Sequence, residues 1–596
     1  SLLVGCVAFA TSCDLTENVQ VKADKSMIFG SKSGLELYSN SFYKALPTLK
    51  NGFMQDKMCD VGAVSNTDTF IKQGAYNTET ATSWSWGALK NVNYFIDGCN
   101  DPKYCTVEAE TRDNYLGIAR WFRAWFYYDK LTTYGEVPWF PNDIQSYQND
   151  VMYKDRDSRD VIIRNLIADL DFAYEHIQAT SSTGSATLTR WAAAALKSRV
   201  CLFEAAYRRY HNLTGLEITP EELYREAAKA AKLVIDNSGC SLNTAAGKKG
   251  AYRDLFYSET PLTQEVILAV CANEKSGIFG EQNWWFNARS YGLCWSLVRS
   301  FVHTYLKQDG TPFTAAADYA VKSFAEEMEG RDLRLEQTVR GRNFLWDGKT
   351  AVADIKNLSL TGYQVIKYTL DESKYDGGAK NINSIPLIRY AEVLLNYAEA
   401  QAELGVLTDS EWALTVGALR KRAGITGGTE TLPTTVDSYL QRTFYPDVTS
   451  PVLLEIRRER AIELVAEGMR FDDLRRWKCG SLMETLPWSG IHIPGLEQPV
   501  DVNGDGVNDY YFTEGEVASA PAAYKNIAVR VNQDGVGLYA EANPVSGYDL
   551  VYKTGAGDRY WYPDGRQYLY PIPAKVIRDY RNAGYTISQN PEWDNE

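Results

Sequence analysis

Helical spacing dominates this chain. From Glu108 onward, Tyr115, Ile118, Ala119, Phe122, Trp125 and Phe126 recur at helical intervals and Gly135 and Pro138 close the run, which predicts one long amphipathic helix. Ile162, Leu166, Leu170 and Ala173 repeat the pattern behind a Ser158 cap. The stretch "TRWAAAALKSRVCLFEAAYRRY", Thr189 to Tyr210, is alanine-rich on one side, which permits close approach of a neighbouring helix. The next pattern opens on Thr219 as cap and Pro220 in the first turn. "IPLIRYAEVLLNYAEAQAELG" and "SEWALTVGALRKRAGI" form a further pair with a short link. No member of such a pair can bury its apolar face alone. The expected fold is therefore mainly α, a tetratricopeptide-like superhelix of helix pairs. Residues 240–290, 340–385 and 485–570 are rich in Gly, Asn, Thr and Tyr and keep their aromatics. They read as long irregular loop excursions with short β elements, where binding function tends to sit.

One segment departs from the simple pattern. In "LLEIRRERAIELVAEGMRFDDLRRW", Leu453 to Trp477, the residues Leu454, Ala461, Val465 and Gly468 form a stripe, with Ile462 and Met469 beside it. The spacing predicts a helix with one core side and a polar remainder. Glu455 to Arg458 and Arg460 to Glu463 are attractive i,i+3 pairs, whereas Glu455, Glu459, Glu463 and Glu467 form a self-repelling i,i+4 ladder. Such a ladder persists only if arginines reach it, and "ALRKRAGI" (Ala418 to Ile425) and "LRRW" (Leu474 to Trp477) are the candidates. The competing use of paired carboxylates is glycoside hydrolysis.

The 596 residues carry 76 acidic and 62 basic side chains, a formal net charge of −14, which removes nucleic acid from the principal ligands. The aromatic load is high, 39 Tyr, 21 Phe and 15 Trp, and ring surface of that kind often accompanies surfaces that stack on polar ligands. No HExxH, Walker loop, dinucleotide fingerprint or GxSxG elbow occurs, and His176, His211, His303 and His492 lack metal spacing and read as surface or capping residues. "DVNGDGVNDYYF" alternates Asp501, Asn503 and Asp505 before Gly506, with the Val507 carbonyl and Asp509 following. That matches the first half of a calcium loop, but Phe512 stands where the closing Glu belongs, which leaves a shorter calcium turn or a plain Asp/Asn/Gly turn. No other cofactor is implied. Cys99 and Cys105 flank a turn-rich loop that a disulfide can close, and Cys201 falls in an apolar helical run as a core residue.

The N-terminal "SLLVGCVAFATSCDLTENVQ" runs from an apolar stretch into small residues and Cys13, then turns polar. It is too short to span a bilayer. "AFATSC" resembles a bacterial lipoprotein cleavage site, with Ala10 in place of the usual Leu. Residues 1–12 then read as a signal-peptide remnant and Cys13 as a lipidated N-terminus, the chain's only tie to a membrane.

A set of segments in order carries a family likeness across nearly the whole chain: "ARWFRAWFYYDKLTTYGEVPWF", "RDSRDVIIRNLIADLDFA", "LVRSFVHTYLKQDGTPF", "GRDLRLEQTV", "TGYQVIKY", "IPLIRYAEVLLNYAEAQAELG", "RKRAGI", "RRERAIELVAEGMRFDDLRRW", "YLYPIPAKVI" and "SQNPEW". The sequence resembles the SusD/RagB family, surface lipoproteins that partner a SusC-type TonB-dependent outer-membrane transporter in nutrient uptake. The resemblance implies a SusD-like helical region over 13–240, with 241–596 completing the scaffold and its binding loops. It implies a glycan-binding, non-enzymatic lid over the transporter, and makes the charged segment, with Arg389, Glu392 and Glu399, a cross-braced scaffold. Relatives that capture peptides, and a pure tetratricopeptide-type interaction scaffold, are the alternatives.

Because glycans in this family are held on a shallow aromatic surface, the resemblance directs attention to two clusters. Trp84 and Trp86 follow a polar run that contains Asn77, and Trp284, Trp285, Tyr291 and Trp295 are flanked by Gln282, Asn287 and Arg289 as hydrogen-bonding partners for hydroxyls. The competing reading makes Trp84 or Trp86 a core anchor and packs Trp295 under the loop.

Overall fold

The computed structural model describes residues 25–49, 54–287, 294–553 and 557–594. The stack begins with α1 (Gly87–Asn100), α2 (Ala109–Tyr134), α3 (Arg159–His176), α4 (Arg190–Tyr210) and α5 (Pro220–Asn237). It continues through α7 (Tyr390–Glu403), α8 (Val416–Arg422), α9 (Pro451–Glu463) and α10 (Arg470–Arg476), while the short α6 (Gln282–Asn287) and α11 (Ala574–Asn582) lie outside the succession of packed pairs. Neighbours in the superhelix pack in succession, α1 on α2, α2 on α3, α3 on α4, α4 on α5, α5 on α7 and α7 on α9. The expected tetratricopeptide-like stacking is therefore the observed one.

Local chemistry sets these boundaries. Gly135, at φ +75°, stops α2 while its N–H still reaches the Leu131 carbonyl. The Ser158 side chain caps α3 by accepting from Val161 N, and Thr219 and Glu222 close a capping box on α5 with Pro220 in its first turn. Every residue of α4 from Trp191 to Arg208 is buried, because α3, α5, α7 and α10 all lean on it and its alanines let them do so.

Strands are short. β1 (Val266–Val270) pairs antiparallel with β2 (Ile385–Arg389), and β2 runs directly into α7. β3 (Ser489–Ile493), β4 (Pro499–Val500), β5 (Tyr510–Thr513), β6 (Ala528–Arg530), β7 (Leu538–Ala542) and β8 (Tyr548–Tyr552) form two three-stranded sheets, ordered β7-β8-β3 and β6-β5-β4.

The charged segment is not one helix with a polar side. It breaks after Glu463, passes through Ala466 and Gly468 at positive φ (63° and 79°), and restarts at Arg470. Residues Leu454 to Glu463 are all buried, charges included. Each rung of the glutamate ladder is met by cations from elsewhere. Arg420 of α8 lies 2.5 Å from Glu455 and 3.0 Å from Glu459, and Arg334 lies 2.6 Å from Glu459 and 2.8 Å from Glu463. Arg389, at the joint of β2 and α7, lies 2.6 Å from both Glu463 and Glu467, while Arg422 also bonds Glu463 and Lys367 bonds Glu467. The "ALRKRAGI" arginines thus reach the ladder as expected. Those of "LRRW" do not: Arg476 bonds Glu399 and Asp473, and Arg475 bonds Asp472. Within the segment, Arg458 meets Glu455 at 3.0 Å, but Arg460 turns from Glu463 to Asp473 at 2.8 Å. Burial alone would raise the Glu463 carboxyl, yet Arg422, Arg389 and Arg334 hold it well below the usual carboxylate range.

Glu463→Ala would leave three buried guanidiniums short of a partner, a loss of about 3–5 kcal/mol. Urea unfolding should show that shift, and a midpoint within error of wild type would remove the lattice from its structural role. A second test concerns Asp56, whose Oδ2 accepts from Gly468 N at 2.9 Å beneath this turn. Burial pushes its carboxyl up to about 7. A raised carboxyl stabilises the fold below its unfolded value and loses that contribution as pH climbs from near 3.8 to about 7. Asp56→Asn should therefore raise Tm above about pH 7 relative to wild type, with the gain shrinking towards about pH 4.

Candidate functional site

A cavity of about 820 Å³ opens between the first turn of α1, the Phe140–Asn142 segment and α11. Trp84 and Trp86 line it from the extended chain that enters α1. They stand edge to face, centroids 5.3 Å apart. Trp84 rests on Tyr134 at 4.9 Å, and Trp86 on Phe140 at 5.2 Å and Phe126 at 5.5 Å. Both are half-buried, so each ring is braced from behind and still contributes to the cavity wall. The anchor reading holds for both rings in that each packs on core aromatics, and both also line the cavity.

The floor holds a residue the sequence reading passed over. Asn93 of α1 is 1% exposed. Its Nδ2 donates to the carbonyls of Phe140 (2.8 Å) and Asn142 (3.0 Å), which fixes the amide, while Oδ1 has no hydrogen-bond partner. Asn93 lies seven residues after Trp86, two helical turns on, among the buried Leu89, Val92, Phe95 and Ile96. A lone amide on an apolar helix face was the available signal. The far wall comes from α11 and Tyr153. Tyr153 and Tyr580 meet edge to face at 5.1 Å, and burial, then Asp155 and Tyr153, push the Tyr580 hydroxyl up to about 12, so it stays a neutral donor. At the rim, Glu79 pairs with Arg578 and Asp579 with Lys575, both at 2.6 Å.

The second predicted cluster is not part of this cavity. Trp284 and Trp285 sit half-buried on α6, edge to face at 4.7 Å, but no residue from 282 to 287 lines the cavity of Trp84 and Trp86. Gln282 is fully buried and donates to the Asn383 carbonyl, so it supports the loop from inside. Trp295 is 3% exposed, packed where a Cβ on Gly62 would come within 2.5 Å of its ring, so the packing reading is the right one for it. Asn287 is engaged by Asp376 and Gln364, each at 3.1 Å. Asn77 Oδ1 accepts from the N–H groups of Glu79 and Thr80, both at 3.0 Å, a turn role away from the cavity. Arg289, Tyr291 and Cys13 lie outside the described residues.

Other expectations are corrected by the contacts. In the Asp501–Asp509 loop, Asp501 accepts from Gly504 N (2.7 Å) and Gly506 N (2.8 Å), Asp505 from Val507 N, Asn503 from Asp505 N, and Asp509 from Val502 N. These oxygens close the turn on itself, and among the described residues no group of three or more His, Cys, Asp or Glu is placed to hold a metal ion. Cys99 and Cys105 are separate thiols. His303 and His492 are buried rather than surface residues, facing Glu327 and Asp549 at 2.9 and 3.0 Å.

The model of the SusD family matches residues 264–593, 330 of 596 positions. The chain belongs to the SusD family. Solved structures carry the same fold over nearly the whole length. A SusD-like protein from Bacteroides fragilis is 20% identical, with 96% of this chain and 98% of that one covered at a TM-score of 0.65. A SusD-like carbohydrate-binding protein from the same organism is 19% identical, covering 93% and 99% at 0.66. A SusD homolog from Bacteroides thetaiotaomicron is 16% identical, covering 97% and 100% at 0.60. A comparison with curated protein sequences found no match. Among the described residues of this SusD-family chain, no helix is long and apolar enough to cross a membrane.

Trp295→Ala should cost about 3–5 kcal/mol of stability, as expected for an emptied core site. The folded fraction should keep wild-type ligand affinity. A selective loss of binding with an unchanged Tm would return Trp295 to the site.

Proposed function

We propose that this SusD-family protein binds oligo- or polysaccharide at the bacterial cell surface in the Trp84–Trp86 cavity. It hands the glycan to a SusC-type TonB-dependent outer-membrane transporter as the transporter's lid, tethered through lipid on Cys13. The observation that carries the binding role is the pair of tryptophans, braced from behind by Tyr134, Phe126 and Phe140, on the wall of a cavity of about 820 Å³. A sugar ring offers a flat C–H face for the rings and hydroxyls for the polar side chains that share the lining, Lys90 and Asn142 among them. The volume falls within the range of small-molecule sites, about 300–1,000 Å³. The carbohydrate-binding relative from Bacteroides fragilis points the same way.

The transporter, the surface location and the anchor rest on the family resemblance and on the "AFATSC" motif. Against a peptide-binding role, four of the five charged side chains that line the cavity, Glu79, Arg578, Lys575 and Asp579, are paired with each other, which leaves Lys90 as the fifth. Against hydrolysis, the cavity's two carboxylates, Glu79 and Asp579, are bound in those same ion pairs, and the glutamate ladder is locked to arginines in the core. Ring contacts of about 0.5–1.5 kcal/mol each, with a few hydrogen bonds, give roughly micromolar to millimolar affinity, suited to capture followed by release.

Affinity gels cast with amylopectin, xylan, mannan or pectin test this. One of them should retard the wild type, Trp86→Ala should weaken retention about two- to tenfold, and the Trp84→Ala/Trp86→Ala double variant should abolish it. Undiminished retention by a folded double variant would end the proposal.

A further inference from the structure

A second cavity, about 670 Å³, lies on the other side of the first turn of α1, bounded by α2, α4, α10 and β2. The two share a thin partition. Gly87 lines the first and Ala88 the second, and Trp86 of the first lies 5.5 Å from Phe126 of the second. Both Gly87 and Ala88 are exposed, and a Cβ on Gly87 would meet no atom within 4 Å, so no described side chain crowds the backbone between the cavities at that point.

The far cavity has its own recognition chemistry. Trp125 is half-buried and stacked on the buried Trp121, centroids 5.3 Å apart and planes 13° from parallel, which fixes it as a platform. Asp129, one turn further along α2, and Asp472 supply acceptors. Arg199 lines the same cavity as a donor held in place by Glu392 at 2.6 Å. Aromatic platform, carboxylate acceptors and a fixed guanidinium are what a second hydroxylated ring would meet.

Resting on the reading above, we propose that the Trp125 cavity is a second subsite for the same ligand: one glycan chain occupies the Trp84–Trp86 cavity, crosses at Gly87 and Ala88, and places further sugar units against Trp125. Affinity then depends on chain length, because short fragments fill the first cavity alone. Ala88 is the specificity position, since a bulky residue there blocks the crossing without touching either floor.

The experiment is calorimetric titration of the exported chain with size-fractionated acid hydrolysates of amylopectin, xylan, mannan and pectin. Wild-type affinity should rise with fragment length beyond the shortest fragment bound. Ala88→Trp, on an exposed helix turn, should bring the long fragments down to the affinity of the shortest and leave the shortest unchanged. Trp125→Ala should weaken only the long fragments, by about two- to tenfold. Trp86→Ala should weaken every length. If both Ala88→Trp and Trp125→Ala leave long-fragment affinity unchanged, or weaken all lengths equally, the extension is wrong while the first cavity keeps its role. If no hydrolysate binds, or Trp86→Ala alters no length, the glycan reading itself falls and the extension with it.

Discussion

The buried glutamate ladder of α9 is the constraint on which the rest depends. Three carboxylates on one face of α9, Glu455, Glu459 and Glu463, and a fourth, Glu467, in the turn beyond it cannot be gathered in the interior unless counter-charges arrive from other segments. They come from Arg334, from Arg389 where β2 becomes α7, and from Arg420 and Arg422 of α8. Each carboxylate is therefore a distance constraint on another segment, and together they fix the register of the second helix pair against the β1-β2 ladder. Hydrophobic stacking alone tolerates sliding; a bidentate arginine does not.

The same logic runs through the first half of the chain. Arg123 holds Asp169, Arg159 holds Glu204, and Arg199 holds Glu392, tying α2 to α3, α3 to α4, and α4 to α7. A rigid α2 matters for the proposed site, because one helix supplies Tyr134 and Phe126 behind the two cavity tryptophans and Trp125 on the far side. The scaffold's charges and the site's rings are thus consecutive features of a single helix.

Sequence periodicity was enough to place the long helices, their caps and the stacking, since these follow from local spacing and side chains within a turn of the boundary. It misjudged the Leu453–Trp477 segment, because a helix break needs positive φ at Ala466 and Gly468, and only tertiary contacts stabilise the former. It also took exposure for granted in a charged helix whose every face is covered. In the site, Trp84 and Trp86 were legible as a pair after a polar run. Trp295 was not separable from them by composition, since its burial depends on Gly62, more than two hundred residues away. Asn93 escaped because an unpaired acceptor is defined by what the neighbouring carbonyls take from the same amide, and those belong to a different segment.

The wall built by α11 has a further consequence. The contact between Arg578 and Glu79 joins positions 499 residues apart, and Ala574 N donates to the Thr78 carbonyl across the same seam. The tryptophan side is complete early in synthesis, yet it encloses nothing until the last helix docks. In the proposed glycan-binding role, retention of ligand therefore depends on α11 as much as on the tryptophans: a copy clipped ahead of Ala574 presents two rings on an open surface.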